Sequence, residues 1–112
     1  MEIYNTKKNP VITKNFDCST AHITAEDNRR LLEAIGDPQA PVIVYKYAEG
    51  YFIYVPTETD AFIGGTEKET IKAYGFSDAF INLLKVAADL GCKYLQLDSD
   101  AMEYEDLPTF EW

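Results

Sequence analysis

Three places in the chain hold residues with chemical potential. The single histidine, His22, stands in Ser19-Thr20-Ala21-His22-Ile23-Thr24, between a strand-like stretch and a helix start. Imidazole is the natural general base near neutral pH, and Cys18, Ser19 and Thr20 lie close to it in sequence. No glycine-framed elbow of the G-x-S-x-G kind surrounds them, however. A structural, hydrogen-bonding histidine is the reading the pattern favours. Asp98-Ser99-Asp100 sets two carboxylates one residue apart, with Glu103 and Glu105 following. Such a set can hold a divalent cation, which takes about six oxygen ligands, or it can simply line a loop. The calcium-loop pattern is absent. Gly64-Gly65-Thr66-Glu67-Lys68 lacks the first glycine and the Gly-Lys-Ser/Thr ending of a phosphate loop. No catalytic residue, metal ligand or cofactor is assigned. An enzyme or metal-dependent hydrolase centred on His22 with Asp98 and Asp100 remains as the alternative to a non-enzymatic protein.

The charge is more informative than any motif. Nineteen acidic and ten basic residues leave a net charge of −9. That opposes direct nucleic-acid binding through phosphates and binding to an anionic membrane surface. Lys93 is the last basic residue; Asp98, Asp100, Glu103, Glu105, Asp106 and Glu111 follow without compensation. A solvated acidic tail that aids solubility is the plain reading. The functional one is a binding surface for a basic partner. Alternate residues of an extended chain repeat at roughly 6.6 Å, whereas B-DNA carries about one charge per ~1.7 Å of axis. The acids could therefore imitate part of one strand. A second candidate surface is tyrosine-rich: Tyr45, Tyr47 and Tyr54 fall in one hairpin and suit either a half-buried sheet face or a contact surface.

These groups must be positioned by a framework with a clear pattern. Asp78, Asn82, Lys85 and Asp89 recur at helical spacing. Phe80, Ile81, Leu83, Leu84, Ala87, Ala88 and Leu90 fill the other side. Ser77 suits the N-cap and Gly91 the stop. Lys93 to Asp98 then alternates as a strand. Upstream, Phe16, Cys18 and Thr20 alternate over a strand at about 16–20, and Val11-Ile12-Thr13 is a further short strand candidate. Thr24-Ala25-Glu26-Asp27 resembles a capping box with Asp27 at its third position. The helix it opens reaches about Ile35, buries Leu31, Leu32 and Ile35, and ends at Gly36. Stretches 41–47 and 51–55 are β-branched and aromatic, and Ala48-Glu49-Gly50 links them as a hairpin with a bulge. Asn9-Pro10 and Pro56 to Asp60 read as turn and loop, Ala61-Phe62-Ile63 as an apolar patch and Gly64-Gly65 as a joint. Thr66 to Tyr74 is expected to form a helical turn or two. The aromatic C-terminus is expected to dock on the body.

The resulting order is β-α-β-β-α-β. It predicts one α+β domain over residues 1–112, with an antiparallel or mixed sheet of about four strands and two helices on one face. The ferredoxin-like arrangement is one form of that order. Length suffices for a core without metal or disulfide, so Cys18 and Cys92 are expected as reduced, partly buried thiols. No apolar run reaches the ~20 residues of a membrane span, and the first residues lack the apolar core of a signal peptide. The expected location is the cytoplasm.

Three segments in order carry a resemblance: Ser19 to Thr24, Gly75-Phe76-Ser77, and Leu107-Pro108-Thr109-Phe110-Glu111-Trp112, with Gly91-Cys92 and Leu97-Asp98 between them. Together they resemble a family of small bacterial proteins of unknown function, commonly encoded on plasmids, integrative elements and phages. The resemblance implies a mobile-element accessory protein and supplies no activity or active site. The sequence reading is therefore a non-enzymatic acidic protein that contacts another protein, possessing neither nucleic-acid nor membrane affinity. Its sharper version is a DNA-mimic inhibitor of a host DNA-processing or defence protein. A structural role as a homodimer sealed through the hairpin edge is the remaining class, and monomer and homodimer both stay open.

Overall fold

The computed structural model describes residues 11–55 and 66–112. The expectations for Asn9-Pro10, the 56–60 loop, the 61–63 patch and the Gly64-Gly65 joint lie outside the described residues. In chain order the elements are β1 (Asn15–Ser19), a 3-10 turn (Thr20–His22), α1 (Ala25–Ala34), β2 (Val44–Tyr47), β3 (Gly50–Tyr54), α2 (Thr66–Tyr74), α3 (Asp78–Asp89) and β4 (Tyr94–Asp98). This is the expected α+β fold, with the short helical stretch before Gly75 forming a third helix. Val11 and Ile12 are not in a strand and are 90% and 83% exposed.

The sheet is open, mixed and four-stranded, in the order β1-β4-β3-β2. β1 runs parallel to β4, with Asn15 opposite Tyr94 and Ser19 opposite Asp98. β3 is antiparallel to both β4 and β2. Cross-strand register sorts the side chains into two faces. Cys18, Leu95, Leu97, Tyr51, Ile53 and Val44 turn to one side. There they form a single buried cluster with Leu31 and Ala34 of α1, Ile71 of α2, and Phe80, Ile81, Leu83, Leu84 and Ala87 of α3. The helices thus cover one face only.

α1 packs along Asp27, Leu31 and Ala34, which recur at helical spacing and are all buried. Leu32 and Ile35, expected inside, lie roughly 100° around the helix from that stripe and are 49% and 45% exposed. Leu90, at the end of α3, is likewise half exposed. In the hairpin, Tyr47 pairs with Gly50, so the link is Ala48-Glu49 and is one residue shorter than expected. Gly50 is required there: a Cβ would stand 1.7 Å from the Leu97 carbonyl oxygen.

Two clasps hold this framework. The first joins α1 to α3. Thr24 accepts from the Asp27 backbone N–H (3.0 Å), and the Asp27 carboxylate accepts from the Thr24 N–H (3.0 Å), which is a complete capping box. The same carboxylate, fully buried, accepts from the Ser77 N–H (2.8 Å) and hydroxyl (2.6 Å). Ser77 in turn caps α3 by accepting from Phe80 N–H (3.2 Å). The positive ends of two helix dipoles therefore meet at one carboxylate. Gly75, with φ +119°, allows the approach, since a Cβ would lie 2.4 Å from Arg30 Nε.

The second clasp fastens the C-terminal tail to β1 and the turn after it. Ser19 N–H donates to Met102 O (3.0 Å), Phe110 N–H to Ala21 O (2.8 Å), the Tyr104 hydroxyl to Asp17 O (2.8 Å) and Trp112 Nε1 to Ile23 O (2.9 Å). The docking expected of the aromatic end is present for Phe110 and Trp112, although 56% of Trp112 remains exposed. The tail covers the outer edge of β1, and β2 forms the other edge of the sheet.

Candidate functional site

The sheet face turned away from the helices gathers the tyrosines. By register, Asn15 and Asp17 of β1, Tyr94, Gln96 and Asp98 of β4, Phe52 and Tyr54 of β3, and Tyr45 and Tyr47 of β2 share it. The rings touch one another at steep angles. Tyr94 meets Tyr45 (centroids 6.5 Å apart, 73° between planes), Phe52 (6.1 Å, 81°) and Tyr54 (6.0 Å, 80°) edge to face. Tyr47 tilts against Phe52 at 5.0 Å. Rings in these arrangements attract through their quadrupoles. Tyr45 is 54% exposed, and Tyr47, Phe52, Tyr54 and Tyr94 are half-buried.

A polar strip flanks the rings. The Tyr47 hydroxyl donates to Asp98 Oδ2 (2.7 Å) and accepts from Gln96 Nε2 (3.1 Å). Gln96 Oε1 accepts from Asn15 Nδ2 (3.4 Å). Burial, chiefly, pushes the Tyr47 phenol up to about 12, with the neighbouring Asp98 charge acting in the same direction. The Tyr47 hydroxyl and then the Asp100 backbone N–H hold the Asp98 carboxyl below the usual carboxylate value. Asp98 is thus a fixed anion at one end of the aromatic face.

Of the residues singled out in the sequence, Tyr45, Tyr47, Tyr54 and Asp98 come together on this face. Asp100, Glu103, Glu105 and Asp106 are exposed on the tail that follows β4. Glu103 lines a cleft of about 330 Å³ with Ser19, Thr20, Ala21, Ser99, Phe110 and Trp112. Phe52, Tyr94, Gln96 and Asn15 were not singled out. Their signal was present in the alternation of β4, where Tyr94, Gln96 and Asp98 occupy the positions opposite Leu95 and Leu97.

His22 is placed elsewhere and is 1% exposed. Its Nε2 accepts from the Tyr104 N–H at 2.9 Å, so the proton is on Nδ1, which donates to Pro108 O at 2.8 Å. Both nitrogens serve the tail clasp and neither is open to a substrate. Asp98 ends β4 and Asp100 follows it, exposed. Among the described residues no group of three or more His, Cys, Asp or Glu side chains is placed to hold a metal ion. Cys18 and Cys92 are free thiols. Burial, and secondarily the Asp17 charge, pushes the Cys18 thiol up to about 12.

A model of the C-terminal domain of a family of unknown function, DUF5983, matches residues 15–112. The chain belongs to the DUF5983 family. No curated protein and no solved structure matches it. The matched span of this DUF5983 domain begins with β1 and takes in the whole sheet, both clasps and the aromatic face. The segments that carried the resemblance to a family of unknown function occupy the clasps: His22, Ile23 and Thr24, Ser77, and Pro108 to Trp112. Among the described residues, no helix of the DUF5983 domain is long and apolar enough to cross a membrane.

Proposed function

We propose that this DUF5983 domain is a non-enzymatic binding protein that works by protein–protein contact through the open face of its sheet. The observation that carries this reading is the group of aromatic rings on the side the helices leave uncovered, with the Asp98 carboxylate beside them. Contiguous exposed apolar surface with a polar rim marks interaction sites, and tyrosine is enriched there. The net charge of −9 suits a basic partner, because a field of one sign steers and selects the opposite one. In the finer form of the proposal the protein acts in the cytoplasm for a mobile element. There Asp98, Asp100, Glu103, Glu105 and Asp106 stand in for phosphates and occupy a host DNA-handling protein as a partial DNA mimic.

The test is affinity capture of the N-terminally tagged chain from host lysate, eluted with rising salt. A basic protein released at moderate salt, and lost with both Tyr45→Ala/Tyr54→Ala and Asp98→Asn/Asp100→Asn, is the expected result. Retention unchanged by the tyrosine pair would refute the sheet face as the contact. An empty eluate at low salt would refute a partner in that host.

A second reading, a homodimer, is favoured by one observation. β2 is an edge strand, and Tyr45 in it and Ile43 just before it are 54% and 55% exposed. Unpaired edges template pairing with another chain. Light scattering decides it: a dimer that Ile43→Lys returns to monomer supports this reading, and a monomer at every concentration excludes it.

A further inference from the structure

His22, the chain's one histidine, is the latch of the C-terminal tail. Its Nε2 accepts from the Tyr104 N–H at 2.9 Å, while Nδ1 donates to Pro108 O at 2.8 Å. The Tyr104 ring lies over the imidazole, with centroids 6.0 Å apart and 28° between planes. Only a neutral ring can hold both bonds, because imidazolium carries a proton on each nitrogen and accepts nothing. A proton on Nε2 would face the Tyr104 N–H, setting donor against donor in a site that is 1% exposed. No carboxylate stands ready to offset that charge: among the described residues, neither nitrogen belongs to an ion pair. The charged and titratable groups nearby are turned to water or bonded elsewhere. On the tail, Glu103, Glu105, Asp106 and Glu111 are exposed, where water and salt screen them. On β1, Asp17 is exposed and Cys18 is a buried thiol, and both adjoin the Tyr104 phenol. On α1, Asp27 is bonded to Thr24 and Ser77, and Glu26 pairs with Arg29 and Arg30.

We propose that proton uptake by His22 releases the C-terminal tail and bares the outer edge of β1. The inference goes beyond the open face as a contact surface and does not depend on it. What the tail covers gives the release its consequence. β1 is an edge strand, and the tail bonds two of its groups: the Tyr104 hydroxyl reaches Asp17 O (2.8 Å) and Met102 O takes the Ser19 N–H (3.0 Å). Tyr104 therefore connects latch to strand, since its N–H is held by His22 and its hydroxyl by β1. The other tail bonds, from Phe110 N–H to Ala21 O and from Trp112 Nε1 to Ile23 O, close on the two residues that flank His22 in the chain. A shift of the ring acts on all of them together. An edge freed of these partners presents unpaired backbone donors and acceptors to an extended segment of another chain. The sheet thus has one edge that is sealed while the imidazole is neutral and open once it is charged.

The test follows the full chain, labelled with nitrogen-15 and carbon-13, by NMR from about pH 8 to about pH 5, the interval in which histidine changes charge. Two quantities are read: the His22 ring shifts, and the exchange protection of the Ser19, Tyr104 and Phe110 amides, corrected for the intrinsic pH dependence of exchange. The three protections should fall by about tenfold or more, with the same midpoint as the ring. The Val55 amide, bonded to Lys93 O away from the tail, should stay protected. Fluorescence of Trp112, the single tryptophan, should move to the red in the same interval. His22→Gln keeps an acceptor oxygen and an N–H donor but takes up no proton, so its tail protection should not depend on pH. Tail amides that stay protected across the interval, whether or not the ring titrates, would overturn the proposal. An equal fall in His22→Gln would also overturn it, by assigning the release to Asp17 or to the tail carboxylates. If His22→Gln leaves the tail undocked at both ends of the interval, the wild-type midpoints decide: coincidence supports the latch and separation overturns it. None of these results bears on lysate capture through Tyr45 and Tyr54, which lie on the open face of the sheet.

Discussion

Replacing Asp27 with alanine should cost about 3–5 kcal/mol of folding stability, the range for leaving one side of a buried charged network unpaired. The carboxylate is fully buried and accepts three hydrogen bonds, at 3.0 Å from Thr24 N–H, 2.8 Å from Ser77 N–H and 2.6 Å from the Ser77 hydroxyl. Bonds to a charged acceptor contribute about 1.5–3 kcal/mol each. Their gross sum is reduced by the cost of keeping the ion out of water, which alanine removes. It is reduced further because the Ser77 hydroxyl can turn to another acceptor. The two backbone donors cannot turn, and each orphaned buried group costs about 1–3 kcal/mol. A domain of this size is stable by only about 5–15 kcal/mol, so the loss should lower the urea midpoint sharply at unchanged slope. Asp27→Asn is nearly isosteric but sets an NH2 against a donor, and it should cost about 2–3 kcal/mol. Ser77→Ala should cost less than Asp27→Ala. The double variant should fall short of the sum by about 1–2 kcal/mol, since both changes break the bond between the Ser77 hydroxyl and Asp27. An Asp27→Ala loss below about 1 kcal/mol, or additive single effects, would refute the idea that this carboxylate joins the two helix starts.

Three further expectations follow. His22→Phe fills the space but removes both tail bonds, so the Tyr104 and Phe110 amides should exchange faster and stability should fall by about 2–3 kcal/mol; unchanged exchange would show that the tail docks without the imidazole. A thiol reagent should label half-buried Cys92 on the native protein, while Cys18, buried and pushed up to about 12, should react only on unfolding, as mass mapping would show. The Asp98 carboxyl is held below its ordinary value by Tyr47 and by the Asp100 N–H. Its contribution is therefore present above the unfolded value of about 3.9 and disappears as pH falls through the lower folded value. Acid unfolding curves of Asp98→Asn should be flatter than wild type in that window, and Tyr47→Phe should move the Asp98 titration measured by NMR back toward the ordinary value.

Much of the framework is readable from local pattern. α3 combines an unbroken apolar stripe, a serine cap and a glycine stop, and its limits in the structure match that reading to within a residue. The capping box at Thr24 is equally plain because both halves lie within one turn. Burial on α1 misleads for a physical reason: Leu32 and Ile35 are apolar like Leu31, and only the tertiary position of Asp27 against Ser77 fixes which side of the helix faces inward. The aromatic face is half legible for the same kind of reason. Tyr45, Tyr47 and Tyr54 stand out as tyrosines in one hairpin. Tyr94 and Gln96 join them only through the pairing of β3 with β4, a register no local pattern contains. His22 shows the opposite case. Its rarity and its place between a strand and a helix invite a chemical reading, and the partners that occupy it come from 82 and 86 residues further along.

The position of β4 also sets the order in which the molecule can assemble. It is the strand that joins β1 to the β2–β3 hairpin, and it comes last in the chain of elements. On a ribosome the hairpin and the first helices can form while β1 has no neighbour, because the central strand has yet to emerge. Sheet closure then couples residue 15 to residue 94 in a late, non-local step. Such steps bring the loop-closure cost forward and delay the contacts that offset it, which slows a chain relative to helical bundles built from local contacts. Until that step the β1 strand and the 3-10 turn after it stand unprotected. A nascent chain stalled before Tyr94 would expose them, and it is in that interval that the protein is most open to aggregation or to a chaperone.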